Sequence, residues 1–215
     1  MLRLLLFGGG AVALVLAAVI WQHASSSSSE TVFSGKTTPP EAAPLCPWRE
    51  PEADLKAFFP NALRYELETR ALSGFRLELT ERLGRAPMPD ENLLHVYRVY
   101  GEQGALGAVL TRRVKGTHGA IEMVVASDNQ QRLCGLRFQR MREPETVAIV
   151  LEDSEWLRSF NGKIASSGWE VGRDIPGVPV EARTSAAAIA EGARSSLILL
   201  TVTCEGQIPV KAQHH

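Results

Sequence analysis

Cysteine, excess charge and the common catalytic motifs are all scarce in this sequence. The three cysteines, Cys46, Cys134 and Cys204, form no Cys-x-x-Cys pair, which argues against a zinc ribbon or a disulfide-dense miniprotein. With 23 Lys and Arg against 24 Asp and Glu, the net charge of −1 provides no basic excess for a phosphate backbone, so nucleic acid is not an expected partner. Serine-hydrolase elbows, His-Glu-x-x-His pairs and glycine-rich nucleotide loops are absent from the sequence, and neither a common hydrolase activity nor a structural metal is expected.

One long apolar run stands near the N-terminus, from Leu4 through Trp21, and it carries no charged side chain. At about 1.5 Å per residue it spans roughly 27 Å, close to the ~30 Å hydrocarbon core of a bilayer. Gln22-His23-Ala24 does not provide a small-x-small cleavage site, so we expect an uncleaved single-pass helix, with residues 4–21 in the lipid bilayer. Arg3 precedes the run and the next basic residue is Lys36, which predicts an inner-membrane protein with its domain in the periplasm.

The composition divides the chain into four predicted parts: an anchor at 1–24, a Ser/Thr/Pro-rich tether at 25–47, a folded domain at 48–207 and a tail at 208–215. As a coil the tether would hold the domain roughly 25 Å from the bilayer. A leash that lets the domain reach a membrane partner and a plain spacer both fit this composition.

Within the folded domain, hydrophobic periodicity predicts helices and strands that are segregated along the chain. The predicted helices are Glu50 to Phe59, Leu72 to Leu83, Glu152 to Phe160 and Ser185 to about Leu199; the predicted strands are Leu94 to Tyr100, Ala105 to Val114, Ala120 to Ala126 and Arg132 to Arg140. Short polar turns between the strands indicate an antiparallel meander, and the fold class is therefore α+β, an antiparallel sheet with packed helices.

The last predicted strand carries a two-residue alternation that indicates one buried and one solvent-facing side of the sheet. Cys134, Leu136 and Phe138 fall on one side, and Arg137 and Gln139 fall on the other. We therefore expect one face of the sheet to be exposed to solvent and Cys134 to be buried beside Leu136 and Phe138.

Among the five histidines, only His118 lies in a plausible site loop, between Gly116 and Gly119. A polar turn residue is the alternative interpretation of the same position.

Several segments, taken together, resemble the periplasmic FMN-binding domain family, which includes the G subunit of the Rnf electron-transport complex and the C subunit of the sodium-pumping NADH:quinone oxidoreductase. The segments are Gly116-Thr117-His118-Gly119-Ala120-Ile121-Glu122, Ser127-Asp128-Asn129, Cys134-Gly135-Leu136-Arg137, Arg142-Glu143-Pro144, Trp156 through Lys163, and Val171-Gly172-Arg173-Asp174-Ile175. The resemblance implies a flavin-type domain that works beside integral membrane electron-transfer subunits, as an accessory subunit of an oxidoreductase complex.

The flavin-attachment motif of that family is degenerate here. Family members esterify the FMN phosphate to the threonine of a Ser/Thr-Gly-Ala-Thr motif at the start of the last long helix. A gapless alignment from Ala188-Ile189 places Arg183 at the threonine and Glu181 at the glycine. Use of Thr184 instead would rotate the hydroxyl by about 100° around the helix. We therefore expect no covalent flavin.

Three interpretations stay open at this point. The favoured one is a scaffold or docking subunit without covalent flavin; the others are an electron carrier with noncovalently bound FMN and a solitary periplasmic binding domain. Under the carrier interpretation, the resemblance assigns cofactor binding to two groups of residues. Arg183, Thr184 and Ser185 would lie at the phosphate, and His118, Gly119 and Glu143 would lie near the ring.

The cysteines near the ends of the domain predict one disulfide. Cys46 and Cys204 flank the domain in segments bounded by Pro47 and Gly206, and the expected compartment permits oxidation. We expect these two to pair and Cys134 to stay reduced; three free thiols are the alternative.

Overall fold

A computed structural model describes residues 51–205 of the chain. The helices are α1 (Glu52–Phe58), α2 (Arg76–Leu83), α3 (Glu145–Leu151), α4 (Ser154–Arg158) and α5 (Arg183–Glu205), with short 3₁₀ turns at Ser73–Phe75, Pro89–Glu91 and Val180–Ala182. The strands are β1 (Arg64–Ala71), β2 (Leu93–Gly101), β3 (Gly104–Lys115), β4 (Ala120–Asp128) and β5 (Leu133–Met141). The predicted anchor, tether and tail, together with Cys46 and the side chain of Cys204, lie outside this description.

The sheet is an antiparallel meander in the order β1-β2-β3-β4-β5. This confirms the α+β class and all four predicted strands, which correspond to β2 through β5. The sequence did not predict β1 or α3. Strand β1 is almost entirely exposed, so it lacks the buried half of the pattern that marks a strand in a sequence.

Helix α5 covers one face of the sheet because its apolar stripe and its small residues permit close approach. Ile189, Ala193 and Leu197 are buried against Met123 and Val125 of β4. A side chain at Gly192 would meet Val114 of β3, so glycine is the residue that fits there. Of the described residues, one helix, Val180–Thr203, is long and apolar enough to cross a membrane, and 78% of its most apolar window is buried inside the fold.

The opposite face of the sheet is partly covered by helix α1, so the expectation of one solvent-exposed face is wrong. Helix α1 places Leu55, Phe58 and Phe59 over this face, in a cluster with Val109 and Val124. The polar side chains of β5 that were expected in solvent reach the same helix: Arg137 lies 3.4 Å and Gln139 3.3 Å from the carboxylate of Asp54.

The expected position of Cys134 is also wrong, because the pairing of β4 with β5 is interrupted. Leu136 pairs with Val125 and Leu133 pairs with Ser127, and the register shifts between Ala126 and Ser127. The irregularity turns Cys134 to the α1 side of the sheet, away from Leu136. Burial raises the pKa of its thiol to about 12, so Cys134 is held as an unreactive thiol.

Candidate functional site

The carboxylate of Glu143 is the centre of a polar cluster where three segments of the chain meet. Its side chain is 0% exposed and lies on the turn before α3. One oxygen, Oε1, accepts hydrogen bonds from Ser185 Oγ at 2.8 Å and from the His118 backbone N–H at 3.3 Å. The other, Oε2, lies 2.8 Å from His118 Nδ1. The cluster therefore joins the β3–β4 loop to the first turn of α5.

The loop itself makes further hydrogen bonds to the same serine. The Thr117 backbone N–H donates to Ser185 Oγ at 2.9 Å, and Thr117 Oγ1 lies 3.1 Å from the same oxygen. Since Ser185 donates its hydroxyl proton to Glu143, the hydroxyl of Thr117 is the donor in the second contact.

Two glycines let the loop approach this closely. A Cβ at Gly116 would overlap the carboxylate of Glu143, and one at Gly119 would come within 2.7 Å of the Arg142 side chain. The two glycines also close the loop on itself, since Gly116 N–H donates to Gly119 O at 2.8 Å. The Gly-x-x-Gly pattern therefore reflects a need for space around Glu143.

The hydrogen bonds decide the charge state of Glu143. Burial alone would raise the pKa of this carboxyl, but the hydrogen bonds from His118 and Ser185 outweigh burial and hold the pKa below its usual value. Glu143 is therefore ionised at neutral pH. An ionised carboxylate only accepts hydrogen bonds, so Nδ1 of His118 carries a proton.

This arrangement is unsuited to nucleophilic catalysis. In a hydrolytic triad the imidazole contacts the nucleophilic hydroxyl, whereas here the carboxylate of Glu143 lies between Ser185 and His118. Ser185 is also 0% exposed. The cluster therefore acts as a clasp that holds the β3–β4 loop on α5. In the described part of the chain, no three His, Cys, Asp or Glu side chains are grouped as a metal site.

The structure divides the six predicted site residues into two groups. His118, Gly119, Glu143 and Ser185 come together in the clasp. Arg183 and Thr184, the first two residues of α5, are exposed and lie outside it.

Arg183 instead lines a cavity of about 450 Å³ beside α5. The walls are formed by Trp169, Glu170, Val171, Gly172, Gly177, Val178, Arg183, Ala187 and Glu191. Within residues 51–205, the guanidinium of Arg183 makes no hydrogen bond or ion pair, whereas Glu170 pairs with Arg173 and Glu191 with Arg194.

Sequence reasoning missed Thr117 of the clasp and Trp169 of the cavity. Thr117 lies inside the recognised Gly-x-x-Gly segment, so its position was a usable signal. The four-residue spacing of Arg183, Ala187 and Glu191 also marks one stripe of α5. Trp169 lies in a loop without periodicity, and only the fold brings it to that stripe.

The residues present do not fit a covalently attached FMN at the aligned position. A phosphoester needs a hydroxyl, and Arg183 has none. The nearby hydroxyl of Ser185 is buried and donates to Glu143. Noncovalent FMN fits better, because the cavity falls within the ~300–1,000 Å³ range of small-molecule sites and offers a cation at Arg183 and an aromatic wall at Trp169.

Comparison with known proteins gives similarity to solved structures only, and that similarity is distant. No family model matches the chain, and no curated protein matches it. Among solved structures, the chain is similar to the crystal structure of NqrC from Shewanella oneidensis, with a TM-score of 0.44 and 15% sequence identity over 69% of this chain and 88% of that chain.

Proposed function

We propose that this chain is a flavin-domain-like accessory subunit of a membrane electron-transfer assembly, acting as a scaffold or docking subunit without covalent flavin. In this proposal residues 4–21 anchor it in the inner membrane and the domain lies in the periplasm, beside integral membrane subunits. The family resemblance of segments such as Gly116–Glu122 supports the assignment to this class of subunit. The observation that carries the loss of flavin is Arg183, exposed at the start of α5 where the resemblance requires an esterified threonine.

The surroundings of Arg183 add a second obstacle to attachment. Glu181, in the 3₁₀ turn before α5, adds a carboxylate and a side chain where the family motif has glycine. Like charges repel, so this carboxylate works against a phosphate at the helix N-terminus, where backbone N–H groups would otherwise favour it.

The test is in-gel flavin fluorescence of the full chain after coexpression with a flavin transferase. We expect no fluorescence from the wild type or from Arg183→Thr, because Glu181 remains in the single variant. The triple variant Val180→Ser, Glu181→Gly, Arg183→Thr restores the family motif, since Ala182 is already in place. We expect fluorescence from this variant. Fluorescence from the wild type would overturn the proposal, and its loss in Thr184→Ala would then locate the ester at Thr184.

The cavity beside α5 supports a second candidate function, an electron carrier with noncovalently bound FMN. Bound FMN would supply one- or two-electron transfer. Arg183 would bind the phosphate, since a guanidinium matches phosphate geometry and this one has no partner among the described residues. Trp169 would form the part of the cavity wall beside the flavin ring.

Acid precipitation of purified protein separates the two functions. A colourless preparation supports the scaffold, whereas yellow colour released into the supernatant supports the carrier. Titration with FMN then tests the site: Arg183→Gln should weaken binding at least tenfold, and the exposed Arg132→Gln in the β4–β5 turn should leave it unchanged. Equal affinity of the two variants would contradict the assignment of the cavity.

A further inference from the structure

Strand β1 is an edge strand without a bulge or a proline. It lies at the end of the sheet, and no described residue pairs with its outer side. Its eight residues, Arg64–Ala71, pair with β2 without a register shift, and they include no proline, lysine or glycine. Natural edge strands are usually blunted by bulges, proline, charged side chains (lysine above all) or a covering segment, and of these β1 has only charged side chains, so a pairing strand must match their signs. A long regular edge of this kind is a template for strand addition.

The exposed apolar residues at this edge form a stripe on one face. Leu63, Tyr65 and Leu67 alternate along the chain and are 69%, 42% and 54% exposed. They share the face of Tyr97, whose ring lies 6.3 Å from that of Tyr65 in an edge-to-face contact. Helix α1 packs on the same face of the sheet, over the cluster that contains Val109 and Val124, and does not cover the apolar stripe of β1.

The charged residues of β1 lie on the opposite face and follow a symmetric order of signs. Arg64 and Arg70 are the outer pair, and Glu66 and Glu68 are the inner pair. Within one chain, Arg64 pairs with Glu66 and Arg70 with Glu68. The strand thus carries both signs in an order that can complement its own copy.

We propose that residues Leu63 to Leu67, at the start of β1, pair antiparallel with the same residues of a second copy of this chain, with Tyr65 on the two-fold axis. In this register Arg64 lies opposite Glu66 of the second copy, and the reverse pair forms as well. Leu63 lies opposite Leu67 of the second copy, and the two Tyr65 side chains face each other. Cross-strand pairs of opposite charge and of aromatic or apolar residues stabilise a sheet, and the two sheets become one ten-stranded sheet.

The other two-fold registers are less favourable. An axis at Leu67 places Arg64 opposite Arg70 and Glu66 opposite Glu68, which gives only like-charge pairs. An axis at Glu66 or Glu68 places a carboxylate opposite itself. An axis at Thr69 avoids like charges but leaves Leu63 and Tyr65 without partners. Charge and apolar matching therefore select the axis at Tyr65.

Cysteine cross-linking of the full chain in mild detergent tests the register. Residues opposite each other in antiparallel strands have Cα atoms about 4.5–5.5 Å apart, within the span of a disulfide. Tyr65→Cys should therefore form an oxidised dimer on a nonreducing gel. Leu67→Cys is the matched control: its two copies would lie roughly 13 Å apart, at about 3.3 Å per residue, and should not cross-link above the wild-type level.

Charge reversal tests the same pairing without added cysteines. Arg64→Glu and Glu66→Arg alone each create two like-charge pairs in the dimer, and the dissociation constant from sedimentation equilibrium should rise roughly tenfold. The double variant restores complementary pairs and should recover the wild-type dimer. The exposed Glu145→Arg is the control for net charge.

Three outcomes would overturn the proposal. They are a monomeric wild type at tens of micromolar, equal cross-linking of Tyr65→Cys and Leu67→Cys, and single charge reversals that dimerise as well as the wild type. A monomer without Tyr65→Cys cross-linking is also the result expected if residues 1–50 or another protein cover this edge. The flavin measurements do not depend on any of these results.

Discussion

At the scale of single residues, two buried carboxylates hold separate parts of the molecule together. Glu143 joins the β3–β4 loop to α5 through His118 and Ser185. Glu91 is 0% exposed and joins the 3₁₀ turn Pro89–Glu91 to two arginines. It contacts Arg85 at 2.8 Å and Arg112 at 2.7 Å. At both sites a buried carboxylate has lost its hydration and is compensated by hydrogen bonds from the protein. Its contribution to folding stability therefore depends on keeping all of these hydrogen bonds.

Glu91→Gln should destabilise the fold by about 3–5 kcal/mol, because it removes the buried partner of the Arg112 guanidinium and leaves only the longer contact with the exposed Asp90. The matched control is Asp90→Asn: Asp90 lies 3.6 Å from the same arginine but its side chain is 59% exposed, and its loss should cost under about 1 kcal/mol. Urea unfolding of the two variants measures the difference. Equal losses would contradict the importance of burial.

The pH dependence of Glu91 follows from the same contacts. Burial alone would raise the pKa of this carboxyl, but hydrogen bonds from Arg85 and Met88 and the charge of Arg112 lower it to about 2, from an ordinary 4.5. Because the pKa of Glu91 is lower in the folded protein than its ordinary value, its ionisation stabilises the fold when the pH is above 4.5. This stabilisation is lost as the pH falls from 4.5 towards 2. The melting temperatures of wild type and Glu91→Gln should therefore converge over that range.

Glu143→Gln should cost about 2 kcal/mol, because hydrogen bonds to an ionised acceptor are replaced by weaker neutral ones. The pKa of Glu143 is lowered, so the difference from wild type should be full at neutral pH and shrink as the pH falls below the ordinary value of 4.5. Thermal melts at several pH values measure it. Glu102→Gln, in the exposed β2–β3 turn, is the control. A pH-independent difference would show that the carboxylate charge does not hold the clasp.

At the scale of elements, the contact of α5 with the sheet depends on close approach. Glycine in a helix interior normally costs about 1 kcal/mol relative to alanine, so Gly192 is unfavourable for α5 taken alone. Its Cα hydrogen, however, faces β3 and β4, where a Cβ would come within 2.5 Å of Val114 and 3.2 Å of Met123. Packing against the sheet outweighs helix propensity at this position.

Gly192→Ala should therefore destabilise the protein, by about 1–3 kcal/mol, in spite of the gain in helix propensity. Gly74→Ala is the control, since nothing lies within 4 Å of a Cβ built there, and it should be close to neutral. Chemical unfolding of both variants measures the effect. A more stable Gly192→Ala variant would mean that the helix moves away from the sheet at little cost.

At the scale of the whole molecule, the proposed function requires an anchored domain on the periplasmic side. The prediction rests on the apolar run Leu4–Trp21 and on the charge asymmetry between Arg3 and Lys36. Protease added to intact spheroplasts should digest the domain. Survival of the domain until the membrane is permeabilised would refute this orientation.

Local sequence pattern determined the α+β class, the meander of β2 through β5 and the long last helix. These features depend on near-neighbour periodicity, which alternates by two in a strand and by 3.6 in a helix. The sequence also singled out His118, Glu143 and Ser185 through a family resemblance, although it could not show that Glu143 lies between the other two.

The tertiary structure decided the features that depend on distant neighbours. The bulge that moves Cys134 to the α1 face, the packing of α1 over the face expected to be solvent-exposed, and the exposed edge strand β1 all lack a local signal, although helix α1 itself was predicted. The same holds for the cavity that joins Arg183 to Trp169. Burial and pairing arise from contacts across the chain, and for this reason a residue's environment is fixed only when the whole fold is in place.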